Sequence, residues 1–239
     1  MRVCLDPGHG GNDRANRGPT GYVEADGVLD IALRTRTLLQ SAGLPVVMTR
    51  DRDAAVSLAA RTAYAAAQDA DILVSIHTDA YSDPRANGCT VFCSVRDDQS
   101  RNLAVAIEQA LRNVGRPSRG VRTRVLADGR DYYHVIREAR MPAVLVECAF
   151  HSNPTEEALL KTPEFRQLIA TAIADGIKAF VGPQVPDVIP ILLDGELLPV
   201  TGRLIGDVTY APVRALAEAL GLTVIWDGQQ RLVRLEPRK

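Results

Sequence analysis

The sequence predicts an α/β fold in which a mostly parallel twisted sheet is flanked by helices on both faces, followed by a small α+β domain. Over about the first 180 residues, short apolar runs alternate with segments of helical period, which is typical of parallel strands joined by crossover helices. Beyond them, three prolines fall within eight residues. This change in composition indicates a domain boundary.

Five apolar runs are predicted to be strands because they are short, rich in Val, Ile or Leu, and bounded by turn or helical segments. They are residues 2–5, 45–48, 72–76, 90–95 and 143–147.

The segments between these strands carry apolar residues at helical spacing. They predict helices over residues 28–42, 58–68, 103–114 and 165–180. Gly43 is expected to end the first helix, and Ser57 to cap the second at its N-terminus.

We place one domain at residues 1–181 and a second at 182–239, with a stiff, extended linker at about 182–190. The second domain is predicted to contain strands near 188–194 and 196–200, a helix from Pro212 to Leu220, and two strands joined through Asp227 and Gly228. Its core is near the minimum for independent folding.

The charge composition argues against nucleic-acid binding, because 28 basic residues balance 29 acidic ones and the net charge is -1. The N-terminal segment has no apolar stretch long enough for a secretory signal or a membrane span.

Nine arginines and four acids lie in the segment from Arg101 to Arg140. These arginines either face an anionic substrate or form a solvated helix face and loop.

The four cysteines, Cys4, Cys89, Cys93 and Cys148, are predicted to be reduced thiols in the core, because a chain of this length does not need a disulfide framework. Cys89 and Cys93 without a second close pair make a poor zinc site.

Three ionisable residues close predicted strands: His9 follows the first, His77 the third and Glu147 the last. The carboxyl ends of parallel strands share one rim of the sheet, where ligands bind, so these side chains are expected to meet. A single histidine after a strand is more often an ordinary loop residue. The carboxylate of Glu147, however, is costly to bury without a cation or a partner.

Two imidazoles and a carboxylate at one rim suggest zinc, which keeps an open coordination position when it is catalytic. Glu24 supplies a second carboxylate, since the glycine-rich loop after His9 can fold back tightly. The alternative role for Glu24 is an acid favoured by the N-terminus of the following helix.

The order of several motifs resembles the zinc-dependent N-acetylmuramoyl-L-alanine amidases of the amidase 3 type over about residues 1–181. The motifs are "DPGHGG", "EADGVLDIA", "TRDRD" with "SLAAR", "SIHTDA", "RGVR" and "MPAVLVECAFHSN". The resemblance implies that residues 1–181 are a zinc amidase domain, with Zn²⁺ bound by His9, Glu24 and His77 and with Glu147 as the catalytic carboxylate. It also implies the substrate, the amide between N-acetylmuramic acid and L-alanine in peptidoglycan, cleaved by a zinc-activated water.

The chain departs from this family at two positions. Asp79 stands where the family usually has Asn, and His151 stands where an aliphatic residue is more usual. We expect His151 to lie at the surface, with a substrate contact as the alternative. His134 is expected to be structural or exposed, with a role as a fourth metal ligand as the alternative.

The C-terminal motifs "LLDGELLPV", "TYAPVRALAEALGLTVIWD" and "RLVRL" resemble the copper amine oxidase N-terminal-like domain from about Val188 to Leu235. This resemblance implies a noncatalytic module for attachment or self-association. It does not imply copper, because all four histidines precede the linker.

Two other functions stay open: a non-catalytic cell-wall binding protein, with Asp79 as the lesion, and a zinc peptidase acting on peptidoglycan cross-links. The expected setting is the bacterial cell wall. With no signal peptide in this chain, a phage lysin, a sporulation enzyme and a secreted protein without its leader all fit.

Overall fold

The computed structural model describes residues 1–182, 189–193, 195–205, 208–227 and 232–237. The chain divides into two compact units, Met1–Pro183 and Gln184–Lys239. Most of the predicted linker, residues 183–188, lies outside the described residues, as does Gly228 of the predicted C-terminal turn.

The first unit is built on a six-stranded sheet. The strands are β1 (Val3–Pro7), β2 (Val46–Met48), β3 (Ile72–Asp79), β4 (Cys89–Cys93), β5 (Ser118–Arg122) and β6 (Ala143–Phe150). They lie in the order β2-β1-β3-β6-β4-β5. Neighbouring strands are parallel except for β4 and β6, which are antiparallel. The predicted α/β class with a mostly parallel sheet is therefore confirmed. Strand β5 was not predicted, because its sequence is polar.

Helices cover both faces of this sheet, as predicted. They are α1 (Glu24–Ser41), α2 (Leu58–Ala67), α3 (Asp98–Asn113), α4 (His134–Arg137), α5 (Pro154–Leu160) and α6 (Pro163–Val181). Alternate strand residues enter two separate cores. One core contains residues of α1, α3 and α6, and the other contains residues of α2 and α4.

The predicted cap of α2 is present, since the Ser57 hydroxyl accepts a hydrogen bond from Ala60 N at 3.2 Å. All four cysteines are buried and free, as predicted. Burial, with a further contribution from the Asp6 carboxylate, raises the pKa of Cys4 to about 12. These thiols are inert core residues.

The described part of the second unit contains two antiparallel sheets and one helix. Strands β7 (Ile189–Leu193), β8 (Glu196–Ile205) and β9 (Val208–Tyr210) form one sheet, and β10 (Leu222–Asp227) pairs with β11 (Leu232–Pro237). Helix α7 (Val213–Ala219) starts one residue after Pro212, which caps it instead of occupying its first turn. No helix among the described residues combines the length and the apolar character needed to span a membrane.

Candidate metal centre and active site

His9 lies in a tight turn directly after β1, and its backbone has a φ of 57°. The preceding residue has no room for a side chain, because a Cβ on Gly8 would lie 2.1 Å from Cε1 of His77. Gly8 N also donates to Ile76 O of β3 at 3.0 Å. The glycine therefore lets the turn pack directly against the His77 ring.

Two buried arginines hold the carbonyl groups of this turn. Arg50 donates from Nε to Pro7 O at 3.0 Å and from Nη2 to Gly8 O at 2.7 Å. Arg61 donates from Nη1 to Pro7 O and from Nη2 to His9 O, both at 2.8 Å. Three successive carbonyls are thus satisfied by guanidinium groups, which fixes the backbone beneath the imidazole.

Arg61 also pairs with the buried carboxylate of Asp6 at 2.7 Å. Arg50 and Arg61 belong to the "TRDRD" and "SLAAR" motifs. In the sequence these motifs serve only as a family signature, and nothing in them predicts that the two arginines contact the His9 turn.

His9, Glu24 and His77 converge on one point. Glu24 is the first residue of α1 and is only 1% exposed. Its Oε2 lies 3.3 Å from His9 Nε2, and its Oε1 lies 3.0 Å from His77 Nδ1. One ligand atom from each residue lies within 4.8 Å of the others. This spacing is close to what bonds of about 2.0–2.2 Å to one shared ion require, and two imidazoles with a carboxylate are a zinc-type donor set.

The charges of these groups are coupled. Burial alone raises the pKa of Glu24, but hydrogen bonds with His77 and His9 outweigh it and hold the pKa far below its usual range. Burial lowers the pKa of His9, whereas Glu24 and Asp13 outweigh that effect and raise the pKa overall. An ionised Glu24 is therefore maintained at neutral pH, as a metal ligand requires.

Asp13 and Thr78 each contact one of the candidate ligands. Asp13 Oδ2 lies 2.8 Å from His9 Nδ1, on the ring edge opposite the nitrogen that faces Glu24. Thr78 N donates to Glu24 Oε1 at 2.9 Å. A carboxylate on the outer nitrogen of a ligating histidine fixes its tautomer and raises its basicity.

Glu147 is placed beside this cluster by strand register, because its Cα is paired with that of His77 across β3 and β6. It is 8% exposed, and its Oε2 has no hydrogen-bond partner among the described residues. Burial, followed by the carboxylates of Glu24 and Asp79, raises its pKa well above the usual value. A raised pKa favours the protonated form of a carboxyl group and strengthens its ionised form as a base.

All four predicted site residues line one cleft of about 1130 Å³. His77 and Glu147 are predicted to close their strands, whereas β3 continues to Asp79 and β6 to Phe150. Both side chains therefore project from within a strand, close to its C-terminal end.

The surface position expected for His151 is wrong. This residue is 3% exposed and lines the cleft. Its Nδ1 lies 3.0 Å from Thr78 Oγ1, and its backbone N donates to Asp79 O at 2.8 Å. The extension of β6 past Glu147 carries the chain inward, which the predicted strand end did not anticipate.

Asp79 and His134 also line the cleft. Asp79 is partly buried, and burial is the main cause of its raised pKa. His134 is partly buried at the start of α4, and its Nε2 has no partner among the residues that the structure describes. Arg124, Tyr132 and Tyr133, which the sequence analysis did not single out, complete one wall.

Comparison with known proteins agrees with this geometry. A family model described as N-acetylmuramoyl-L-alanine amidase matches residues 3–179. The amidase AmiC of Neisseria meningitidis serogroup B is 34% identical over 221 residues, covering 77% of this chain and 53% of that protein. The probable cell wall amidase LytH of Staphylococcus aureus is 36% identical, covering 74% of this chain and 57% of that protein.

The chain therefore spans a little over half the length of these curated relatives. Among solved structures, the catalytic domain of CwlV, an N-acetylmuramoyl-L-alanine amidase from Bacillus (Paenibacillus) polymyxa var. colistinus, is similar with a TM-score of 0.70 and 31% identity. The match covers 77% of this chain and 99% of that domain.

Proposed function

This chain belongs to the N-acetylmuramoyl-L-alanine amidase family, and from that premise we propose that residues 1–181 hydrolyse the amide between N-acetylmuramic acid and L-alanine in peptidoglycan. The observation that carries this proposal is the convergence of four side chains on one cleft, with His9, Glu24 and His77 in a zinc-type donor set and Glu147 beside them.

The proposed cofactor is Zn²⁺, held by His9, Glu24 and His77. The donor set is two imidazoles and one carboxylate, and that carboxylate stays ionised in the folded chain. When bound, a zinc ion supplies a Lewis acid and lowers the pKa of water from about 15.7 to about 7. Asp13 holds His9 in the ring orientation that presents Nε2 to the ion.

Glu147 is the proposed general base and general acid. Its unpartnered Oε2 takes a proton from the attacking water, and the same oxygen returns that proton to the departing alanine nitrogen. The raised pKa makes the carboxylate a stronger base for the first step, and the proton that it then holds is available for the second. The reaction needs no covalent intermediate with the protein.

One observation favours a second candidate, a cell-wall binding protein that retains the fold without turnover. Asp79 brings an additional carboxylate to the cleft, where it raises the pKa of Glu147 further and so reduces the fraction of ionised base. The test below includes this candidate as an outcome.

The deciding experiment incubates the zinc-loaded protein with purified cell walls. We expect the release of alanine amino groups with no new reducing sugar ends, arrest by a chelator, and recovery when zinc is restored. New reducing ends would identify a glycosidase and contradict the proposal. New amino groups only at peptide cross-links would identify a peptidase, and binding without any cleavage would favour the second candidate.

The second unit, Gln184–Lys239, is proposed to be a noncatalytic module for attachment or self-association at the bacterial cell wall. Several large apolar side chains are exposed on its described part, among them Tyr210, Trp226 and Leu235. Such surfaces are typical of contact sites. Light scattering of the purified protein at several concentrations distinguishes self-association from attachment to a wall component.

A further inference from the structure

Arg124 is a cation held in a fixed orientation by two aromatic rings. Its guanidinium carbon lies 3.7 Å from the centre of the Tyr132 ring and 6.0 Å from that of Tyr133. Arg124 is near enough to the Tyr133 hydroxyl to oppose the rise in the pKa of that group. The backbone N of Tyr132 donates to Arg124 O at 2.8 Å, so both ends of this residue are tied to the same segment. Stacking on an aromatic face leaves the edge of a guanidinium group available for a ligand.

This cation belongs to the cleft that contains the proposed zinc ligands, since Arg124, Tyr132 and Tyr133 all line it. Tyr133 contacts Arg124 and also lies near the carboxylate of Glu147. Burial is the main reason that the pKa of Tyr133 is raised, and the carboxylates of Glu147 and Asp79 are near enough to raise it further. Arg124, Tyr133 and Glu147 therefore line the same cleft.

Arg124 differs in ion pairing from two other arginines of the same segment. Arg130 lies 2.8 Å from Asp128, and Arg137 lies 2.9 Å from Glu138. Within the described ranges, no carboxylate lies within ion-pair distance of Arg124. An exposed guanidinium group that stacks on an aromatic ring and has no carboxylate partner is suited to a bidentate contact with a carboxylate.

On the proposed amidase function, the bound molecule carries its carboxylates on the peptide. In a stem whose second residue is a γ-linked D-glutamate, the first carboxylate beyond the scissile amide is the α-carboxylate of that residue, and each residue spans at most about 3.6 Å. That carboxylate is therefore held close to the cleft when the amide is in place.

We propose that Arg124 binds the α-carboxylate of the second stem residue and makes the protein selective for stems in which that group is not amidated. This inference rests on the proposed function and adds a specificity to it. Tyr132 and Tyr133 act as positioning residues, because they hold the guanidinium group in place.

The test uses two synthetic substrates, N-acetylmuramoyl tripeptides of L-alanine, γ-linked D-glutamate and L-lysine amide. They differ only in whether the α-carboxyl group of the D-glutamate is free or amidated. For the zinc-loaded wild-type chain, we expect kcat/KM to be at least about tenfold higher on the free carboxylate, as for one charge-assisted hydrogen-bonded contact. In Arg124→Gln this preference is lost, because KM rises on the substrate with the free carboxylate.

Arg130→Gln is the matched control, because it removes the same charge from the same segment but does not line the cleft. It should keep the wild-type preference. Arg124→Lys should recover only part of it, since an ammonium group lacks the planar fork.

Equal cleavage of the two substrates by the wild type would overturn the inference and leave the amidase proposal standing. An equal loss on both substrates in Arg124→Gln, with an unchanged melting temperature, would also overturn it. If the wild type cleaves neither tripeptide nor cell walls, the proposed function itself fails, and the inference fails with it.

Discussion

His77 and Glu147 are register partners on the adjacent parallel strands β3 and β6. Partners in a parallel pair project from the same face of the sheet, about 4.8 Å apart along the hydrogen-bonding direction. Both strands are almost wholly buried, so this separation is fixed by the core and not by a mobile loop. The sheet thereby sets the distance between a proposed metal ligand and the proposed proton carrier.

Glu147→Gln should separate metal binding from turnover. The substitution keeps the shape of the side chain but removes its ability to take a proton, so we expect kcat to fall by about 10²–10⁴-fold with no loss of bound zinc. His77→Ala should instead lose the metal, because one of three ligands is removed. Elemental analysis and cell-wall digestion measure both quantities. Equal metal content and activity in the two variants would contradict the assigned roles.

Gly8→Ala should disturb the metal site by steric overlap alone. The added Cβ would lie 2.1 Å from Cε1 and 2.4 Å from Nε2 of His77, so the ring must move. We expect weaker zinc binding in titrations, together with a loss of stability of about 1–3 kcal/mol from overpacking.

Gly176→Ala is the matched control for this steric effect. Its Cβ would lie 2.5 Å from the Ile107 backbone, which belongs to the core between α3 and α6, on the face of the sheet where those helices pack. It should therefore destabilise the fold while the folded fraction binds zinc normally. Unchanged zinc affinity in Gly8→Ala would show that the close packing of this glycine is not required.

The fold class was predictable because apolar strands and amphipathic helices carry strong periodic signals. Strand β5 lacked such a signal, since "SRGVR" has a single large apolar residue and pairs only at the edge of the sheet. Helix α5 was also missed, although Asn153 caps it and Pro154 occupies its first turn. Its seven residues are too few to show a convincing apolar period.

The convergence of His9, His77 and Glu147 was predictable because parallel strands share a rim. The contacts that hold these residues in place were not predictable. Arg61 reaches the His9 turn from 52 positions away, and no local pattern predicts such a contact. The inward position of His151 depended on where β6 ends, and strand ends are the least certain feature of a sequence-based prediction.

Asp13→Ala should weaken zinc binding although it removes none of the three proposed ligands. This carboxylate contacts His9 Nδ1 at 2.8 Å and is itself largely exposed, so its removal leaves the core intact. Loss of such an outer partner costs about 10–100-fold in metal affinity, which competition with a chelator measures. Asp51→Ala is the control, since Asp51 is an exposed acid whose described ion pair is with Arg52. Equal zinc affinities in the two variants would remove Asp13 from the proposed site.

Asp79→Asn should shift the acid limb of the pH profile to lower pH. Glu147 must be ionised to accept a proton from water, so kcat/KM falls as the pH drops through the pKa of this carboxyl group. Burial raises that pKa most, and the negative charges of Glu24 and Asp79 raise it further. Removing the Asp79 charge lowers the pKa of Glu147, and the variant therefore keeps a larger fraction of its maximal activity under acidic conditions.

The control for this shift is Asp83→Asn, because Asp83 is near in sequence but pairs with Arg85 outside the cleft. Its acid limb should coincide with that of the wild type. An acid limb that stays in place in Asp79→Asn, or moves to higher pH, would contradict the electrostatic link to Glu147. If only Asp79→Asn is active, the Asp79 carboxylate is what prevents turnover in the wild type. The wild-type chain would then be a cell-wall binding protein, because an uncharged amide at this position would be sufficient for turnover.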